Sequence, residues 1–171
     1  LLNAYTCAYL NDPMRLARIS SICSVLNGAL PEREPSNFIY ESLSSFISKL
    51  SSNDWLKNYI NFELKLLSEL GFSLNLLSCA VTGQVSELCY VSPKTGRAVS
   101  KNVGNPYKER LLALPPFLVE ESHSSNTDIL NGLNLTGYFL KRNVFAQVNR
   151  GLPAARDRLV DRVVQKNSIT K

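Results

Sequence analysis

The stretch GFSLNLLSCAVTGQVSELCYVSPKTGRAVSKNVGNPY, residues 71–107, is where the sequence changes from a helical pattern to one built around a turn. Gly71 followed by Phe72 is typical of a helix end, where a glycine adopts positive φ and an apolar residue folds back on the last turn. Two short runs, 87–91 and 97–100, are joined by the turn Ser-Pro-Lys-Thr-Gly. Runs of this length joined by a loop that contains proline and glycine predict a small β-hairpin.

A cysteine at a helix exit, four residues before a glycine and followed by a hairpin, has the layout of a compact zinc module. A structural zinc site takes four Cys or His ligands, two of them usually two to four residues apart. Cys79 is followed at that spacing by Thr82, and Ser100 stands where a second ligand pair would begin. Cys89 lies within a predicted strand and is better suited to packing as a small hydrophobe. We therefore favour a metal-free zinc-ribbon remnant over a zinc site, with Cys79 as the remaining ligand-like position and no cofactor.

Outside this stretch, apolar residues recur at three- and four-residue steps, which indicates buried helix faces. The predicted helices start at Asp12-Pro13, Ser36, Asn53, Asp128 and Leu152-Pro153, and the first, third and fourth end near Asn27-Gly28, Leu70 and Phe145. The predicted fold is mainly α, a helical bundle with a small β-hairpin insertion. We divide it into a helical part over 11–72, the hairpin module over 73–107, and a helical part over 108–171 that completes the bundle.

The bulk composition is that of a globular protein. At 171 residues with 44% hydrophobic residues, the chain suits one domain, or one domain with an appendage. Its four cysteines, at 7, 23, 79 and 89, are irregularly spaced and do not indicate a disulfide framework, so a reducing cytosol is the expected compartment. No apolar run has the length of a membrane span, and we expect no membrane partner. The net charge of +5 favours polyanions or acidic partners.

The sequence gives little support for a catalytic site. The one histidine, His123, lies in a segment of Glu, Ser and Asn typical of an exposed loop. The carboxylate pairs Glu32/Glu34 and Glu120/Glu121 occur in connectors without an apolar pocket that would raise a pKa. The sequence contains neither GxxxxGK nor GxGxxG. We therefore predict that the chain is not an enzyme.

Basic residues crowd the last thirty or so positions. They are Lys141, Arg142, Arg150, Arg156, Arg158, Arg162 and Lys166, partly offset by Asp157 and Asp161. One interpretation is a set of solvating charges and intrahelical ion pairs. The other is an anion-binding face for phosphates or an acidic peptide tail, since the planar guanidinium binds both groups with paired hydrogen bonds.

The hairpin offers a second basic site. Lys94 and Arg97 flank its turn, and Tyr90 precedes it. Aromatic and basic side chains together could clamp single-stranded nucleic acid. Packing is the more ordinary role for Tyr90.

The order of these motifs resembles the bacterial RecO family of recombination mediators. The resemblance is carried by Glu69-Leu-Gly-Phe72, Cys79-x-x-Thr-Gly83, and Tyr90-Val-Ser-Pro-Lys-Thr-Gly-Arg-Ala-Val-Ser100, together with Leu30-Pro-Glu-Arg-Glu-Pro35, Leu135-Thr-Gly-Tyr-Phe-Leu140 and Leu152-Pro-Ala-Ala-Arg-Asp-Arg-Leu-Val160. It covers nearly all of the chain and is strongest for members in which the zinc cysteines have decayed. It implies the C-terminal part of such a protein, with residues 1–10 as the exit from an N-terminal OB-fold that this chain lacks.

The resemblance also implies a function. A RecO-like protein is a non-enzymatic DNA-repair adaptor in the bacterial DNA damage response, located in the cytoplasm at the nucleoid. It acts with RecR, in the RecFOR pathway, on single-stranded DNA coated by single-strand-binding protein, and it helps recombinase loading and strand annealing. The residues that we predict to bind nucleic acid or the acidic C-terminal tail of single-strand-binding protein are Lys94, Arg97, Arg142, Arg150, Arg156, Arg158 and Arg162.

Two alternatives stay open. A helical protein-interaction scaffold with no nucleic-acid role would also have wide apolar helix faces and a modest net charge. One continuous positive face on the surface would favour the adaptor, whereas charges scattered in ion pairs would favour the scaffold. A hydrolase ranks third and would require His123 to meet a serine or cysteine in a pocket.

Overall fold

The computed structural model describes residues 12–30, 37–49, 51–120 and 122–169, and it confirms the mainly helical fold with a small β-module. The α-helices are α1 (Pro13–Ala29), α2 (Asn37–Ser48), α3 (Trp55–Glu69), α4 (Lys101–Gly104), α5 (Asn126–Phe139) and α6 (Ala154–Ile169). A π-helical segment, Leu140–Phe145, continues α5, and short 3-10 segments cover Asn105–Arg110, Pro116–Leu118 and Ala146–Val148. The predicted cap Ser36, the connector 31–36 and the predicted barrel exit 1–10 lie outside the described residues.

Helix α1 starts as predicted and ends slightly later. The Asp12 carboxylate accepts hydrogen bonds from the backbone N–H groups of Met14, at 2.9 Å, and Arg15, and proline occupies the first helical position. Gly28 does not end the helix. A Cβ at Gly28 would lie 2.7 Å from the ring of Phe145, so this glycine permits close packing of α1 against the π-helical segment.

The starts of α3 and α5 each differ from prediction by one or two residues. Helix α3 begins at Trp55 behind Asp54, and not directly behind Asn53. Helix α5 begins at Asn126 because Ser125 caps it: the Ser125 hydroxyl accepts from the Asp128 N–H at 3.1 Å, and the Asp128 carboxylate accepts from the Ser125 N–H at 2.9 Å. This reciprocal capping box makes Asp128 the third residue of the helix, not its first.

The β-module is a three-stranded antiparallel sheet in the order β2–β1–β3. The predicted hairpin is confirmed as β1 (Leu88–Val91) and β2 (Ala98–Ser100), in which Val91 pairs with Ala98. Strand β3 (Leu112–Ala113) pairs with β1 and was not predicted, since two residues are too few to show an alternating pattern. The sheet therefore extends past residue 107.

One hydrophobic core joins the helices to the sheet. Helix α1 packs on α6, α2 packs on α3, and α3 packs on α5. Val91 and Ala98 of the sheet have no exposed surface and belong to the same core as Tyr59 and Leu133 of the helices. No helix in the described ranges has the length and apolar character needed to cross a membrane.

Cys79 lies at the centre of the loop that precedes β1. It is 1% exposed, and its Sγ accepts a hydrogen bond from the Ser100 N–H at 3.3 Å. Burial raises the pKa of the thiol, but hydrogen bonds from the backbone N–H of Ser100 and from Thr82 lower it further, to about 6. Thr82 and Ser100, at the positions where a zinc module would place ligands, therefore favour the thiolate form of Cys79. Among the described residues no group of three or more His, Cys, Asp or Glu is arranged to hold a metal ion.

Ionisation of Cys79 predicts a pH-dependent stability. The pKa of Cys79 falls from an ordinary value of 9.0 to about 6 on folding. The contribution of the Cys79 thiolate to the free energy of unfolding is therefore complete above pH 9 and is lost as the pH falls through 6. The difference in free energy of unfolding between the protein and its Cys79→Ser variant should rise with pH across this window. Urea denaturation under reducing conditions measures it, with Cys23→Ser, an exposed cysteine, as the control. A difference that stays constant with pH would contradict this account.

Candidate nucleic-acid and acidic-peptide interface

Arg156 does not lie on the surface where the sequence placed it. Its side chain is buried, with 3% of its surface exposed, against the buried Glu63 of α3. Arg156 Nε donates to Glu63 Oε1 at 2.6 Å, and Nη2 donates to Glu63 Oε2 at 2.8 Å and to the carbonyl oxygen of Leu133 at 2.9 Å. Because Glu63 already neutralises the guanidinium, Arg156 is removed from the residues that we assign to an acidic tail.

The surroundings of Arg156 explain why a buried charge is tolerated. Burial lowers the pKa of Arg156, but the attraction of the Glu63 carboxylate and its hydrogen bonds outweigh this and raise the pKa above its ordinary value. Thr136 Oγ1 donates to Glu63 Oε2 at 2.6 Å, which adds a third donor to the carboxylate. A Cβ at Gly137 would lie 2.8 Å from Arg156 Nη1. The small Thr136-Gly137 pair therefore makes room for this side chain on α5.

Glu63 is not among the residues predicted from the sequence, although the sequence carries a signal for it. The buried stripe of α3 consists of Tyr59, Ile60, Leu66 and Leu67, and Glu63 falls at the centre of that stripe. A carboxylate at such a position must find a donor or a cation, because an unpaired buried charge costs far more free energy than a helix of this size provides. The sequence does not show which of the basic residues supplies the partner.

Arg158 and Arg162 lie together on the edge of α6 that faces α1. Both side chains are exposed and one helical turn apart, and Arg162 Nη1 donates to the carbonyl oxygen of Pro13 at 3.1 Å. With Pro13, Leu16, Ala17, Ser20 and Ala155 they line a depression of about 300 Å³, which we call the α1–α6 groove. Its lining includes Leu16, an apolar residue with 40% of its surface exposed. The α1–α6 groove therefore combines two guanidinium groups with an apolar surface.

Lys94 and Arg142 meet at a second site. They line a polar cleft of about 230 Å³ between the hairpin turn and the end of α5, which also includes Ser73, Thr95 and Asn143 and which we call the hairpin cleft. Arg142 Nη1 donates to the carbonyl oxygen of Pro93 and so ties the hairpin turn to the π-helical segment. The sequence alone does not predict that these two residues line the same cleft, because forty-seven positions lie between them.

Arg97 and Arg150 are exposed but line neither the α1–α6 groove nor the hairpin cleft. Tyr90 packs, as its ordinary role suggests: its ring lies against Gly104, where a Cβ would collide with it, and its hydroxyl donates to Asn105 Oδ1 at 2.8 Å. His123 is exposed before α5, as predicted for a loop residue.

Six of the predicted binding residues are exposed cations, and their ion pairing bears on whether they neutralise neighbouring carboxylates or bind an anion. Within the described part of the chain, none of the six forms an ion pair. They are Lys94, Arg97, Arg142, Arg150, Arg158 and Arg162. Among these described residues, Asp157 and Asp161 form no ion pair with any of the six, and they line a different cavity, between α5 and α6. Unpaired cations favour an anion-binding role over mutual neutralisation.

The fold is that of a mainly helical protein with a small three-stranded β-insertion. The family described as "Recombination protein O C terminal" matches residues 10–150. The chain is 46% identical to the DNA repair protein RecO of Rhodospirillum centenum, over 95% of its length. It is 45% identical to the proteins of the same name from Phenylobacterium zucineum and Granulibacter bethesdensis, over 91% and 90% of its length. The chain belongs to the RecO family, which confirms the resemblance. It spans 63–66% of the length of these three relatives.

Proposed function

We propose that this chain is part of a non-enzymatic DNA-repair adaptor that acts in homologous recombination by binding alone. It would engage single-stranded DNA coated by single-strand-binding protein, act with RecR to help recombinase loading, and promote annealing of complementary strands, in the bacterial cytoplasm at the nucleoid. The printed names of the relatives support the DNA-repair role. The partnership with RecR rests on the family resemblance. The single observation that carries the binding mechanism is the α1–α6 groove, where Arg158 and Arg162 line the same depression as the exposed Leu16.

The chemistry of the α1–α6 groove suits the acidic tail of single-strand-binding protein. Such a tail presents carboxylates and an apolar end. Arg158 and Arg162 would receive the carboxylates through charge-assisted hydrogen bonds, and the exposed face of Leu16 would cover the apolar end. Since neither arginine forms an ion pair with the described residues, no existing pair has to break for the tail to bind.

The hairpin cleft is proposed as a contact for the phosphates of single-stranded DNA. Lys94 and Arg142 supply positive charge there, and the hydroxyls of Ser73 and Thr95 are further donors. Arg97 and Arg150, exposed elsewhere, are assigned as additional phosphate contacts. The alternative, a scaffold without a nucleic-acid role, is less favoured because the relatives are named as DNA repair proteins.

The assignment of the α1–α6 groove predicts a specific loss of tail binding. In a calorimetric titration with a synthetic tail peptide, the double variant Arg158→Ala/Arg162→Ala should bind at least about tenfold more weakly, because each lost charge-assisted hydrogen bond is worth about 1.5–3 kcal/mol. The matched control, Lys94→Gln/Arg142→Gln, also removes two exposed cations and should leave the peptide affinity unchanged. Equal affinity of the Arg158/Arg162 variant and the parent chain would refute the assignment.

The assignment of the hairpin cleft predicts a change in salt dependence. For single strands, the logarithm of the binding constant falls with the logarithm of salt concentration by about 0.7 for each neutralised phosphate. Lys94→Gln/Arg142→Gln should therefore reduce that slope by about 1.4, as measured by fluorescence anisotropy with a labelled oligonucleotide. Arg158→Ala/Arg162→Ala serves as the control for loss of net charge. A slope that the first variant leaves unchanged, or that both variants reduce equally, would contradict a specific contact.

A further inference from the structure

A further cavity lies between α5 and α6 and is separate from both basic sites. It has a volume of about 480 Å³ and is lined mainly by apolar side chains. These belong to Leu112 of β3, Leu133 and Tyr138 of α5, Leu152, and Val160 of α6. We call it the α5–α6 cavity. Its size suits one large apolar side chain from a partner, with room for the adjoining backbone.

A hydrogen-bond donor without a partner lines this cavity. The hydrogen bonds of Arg156 are made by Nε and Nη2, and within the described residues Nη1 makes none. Arg156 is more than nine-tenths buried, and its Nη1 lies beside Gly137, which lines the same cavity. Since Glu63 neutralises the guanidinium charge, the free N–H groups match a neutral acceptor such as a peptide carbonyl.

The rim of the cavity carries negative charge. Asp157 and Asp161 are exposed and one turn apart on α6, and in the described part of the chain their carboxylates have no ion pair and no side-chain hydrogen bond. Among the described residues that line the cavity, Lys141 is the one exposed cation, since Arg156 is buried against Glu63. The rim is therefore acidic although the whole chain carries a net charge of +5. A partner group at this rim would be basic.

We propose that the α5–α6 cavity docks a segment of a partner protein in which an apolar side chain adjoins basic residues. The apolar side chain fills the cavity, a backbone carbonyl of the segment accepts from Arg156 Nη1, and the basic side chains meet Asp157 and Asp161. The chemistry of this partner is opposite to that of the acidic tail. Helix α6 thus presents a basic edge towards α1 and an acidic edge towards α5, and the two partners would bind it without competing.

The test uses a short synthetic peptide, capped at both ends, with a central leucine flanked by lysines. A matched peptide has glutamates in place of the lysines. Calorimetric titration should give saturable binding of the lysine peptide alone. Asp157→Asn/Asp161→Asn should weaken that binding about tenfold, because it removes both rim carboxylates without changing side-chain size. The control Arg158→Gln/Arg162→Gln, on the other edge of α6, should leave the affinity equal or tighter.

A second variant tests the cavity itself. Asn134 is an exposed residue on its rim, so Asn134→Trp would obstruct the cavity without altering charge or removing core contacts, and it should abolish binding while the thermal unfolding temperature is retained. The proposal is overturned by equal binding of the glutamate peptide, by undiminished binding to Asp157→Asn/Asp161→Asn or Asn134→Trp, or by no saturation at about 1 mM peptide. Loss of acidic-tail binding in Arg158→Ala/Arg162→Ala has no bearing on these outcomes, so the two proposals fail separately.

Discussion

The buried ion pair between Glu63 and Arg156 fixes the arrangement of three helices. It joins α3 to α6, and through Thr136 and the carbonyl of Leu133 it includes α5. Removing two charges from water costs several kcal/mol each, and only good geometry with further hydrogen bonds recovers that cost. Here each carboxylate oxygen of Glu63 receives a guanidinium N–H, and one also receives the Thr136 hydroxyl. The pair therefore specifies one rotation of α6 about its own axis.

That rotation decides where the other charges of α6 point. With Arg156 directed inward, Arg158 and Arg162 lie against α1, while Asp157 and Asp161 lie over the α5–α6 cavity. A slip of one residue would turn α6 by about 100°, place a different side chain opposite Glu63 and move both charged edges away from their present neighbours. The same interaction that stabilises the helices thus separates a basic edge from an acidic edge. The adaptor role proposed above would need such fixed surfaces, because binding would be what selects its partners.

Patterns among neighbouring residues predict most of the helices and the hairpin. The features that they do not predict depend on contacts between residues distant in sequence. The Asp12-Pro13 start and the hairpin depend on neighbouring residues, so the sequence shows them. Strand β3 and the continuation of α1 through Gly28 depend on β1 and Phe145, which only the folded chain brings close. For the site, charge counting located the basic residues of α6 but not their directions. It therefore grouped buried Arg156 with exposed Arg158 and read Asp157 as an offset to both.

The most direct test of this account is a double-mutant cycle on the free energy of unfolding, with Glu63→Gln, Arg156→Met and their combination. If the pair orders α3, α5 and α6, each single variant leaves a buried polar group without its partner, and the combination loses much less than the sum of the two. The account predicts a favourable coupling energy of at least about 2 kcal/mol, the upper part of the range for contacting residues. Additive effects, with a coupling energy near zero, would show that the helices are held without this pair and would contradict the account.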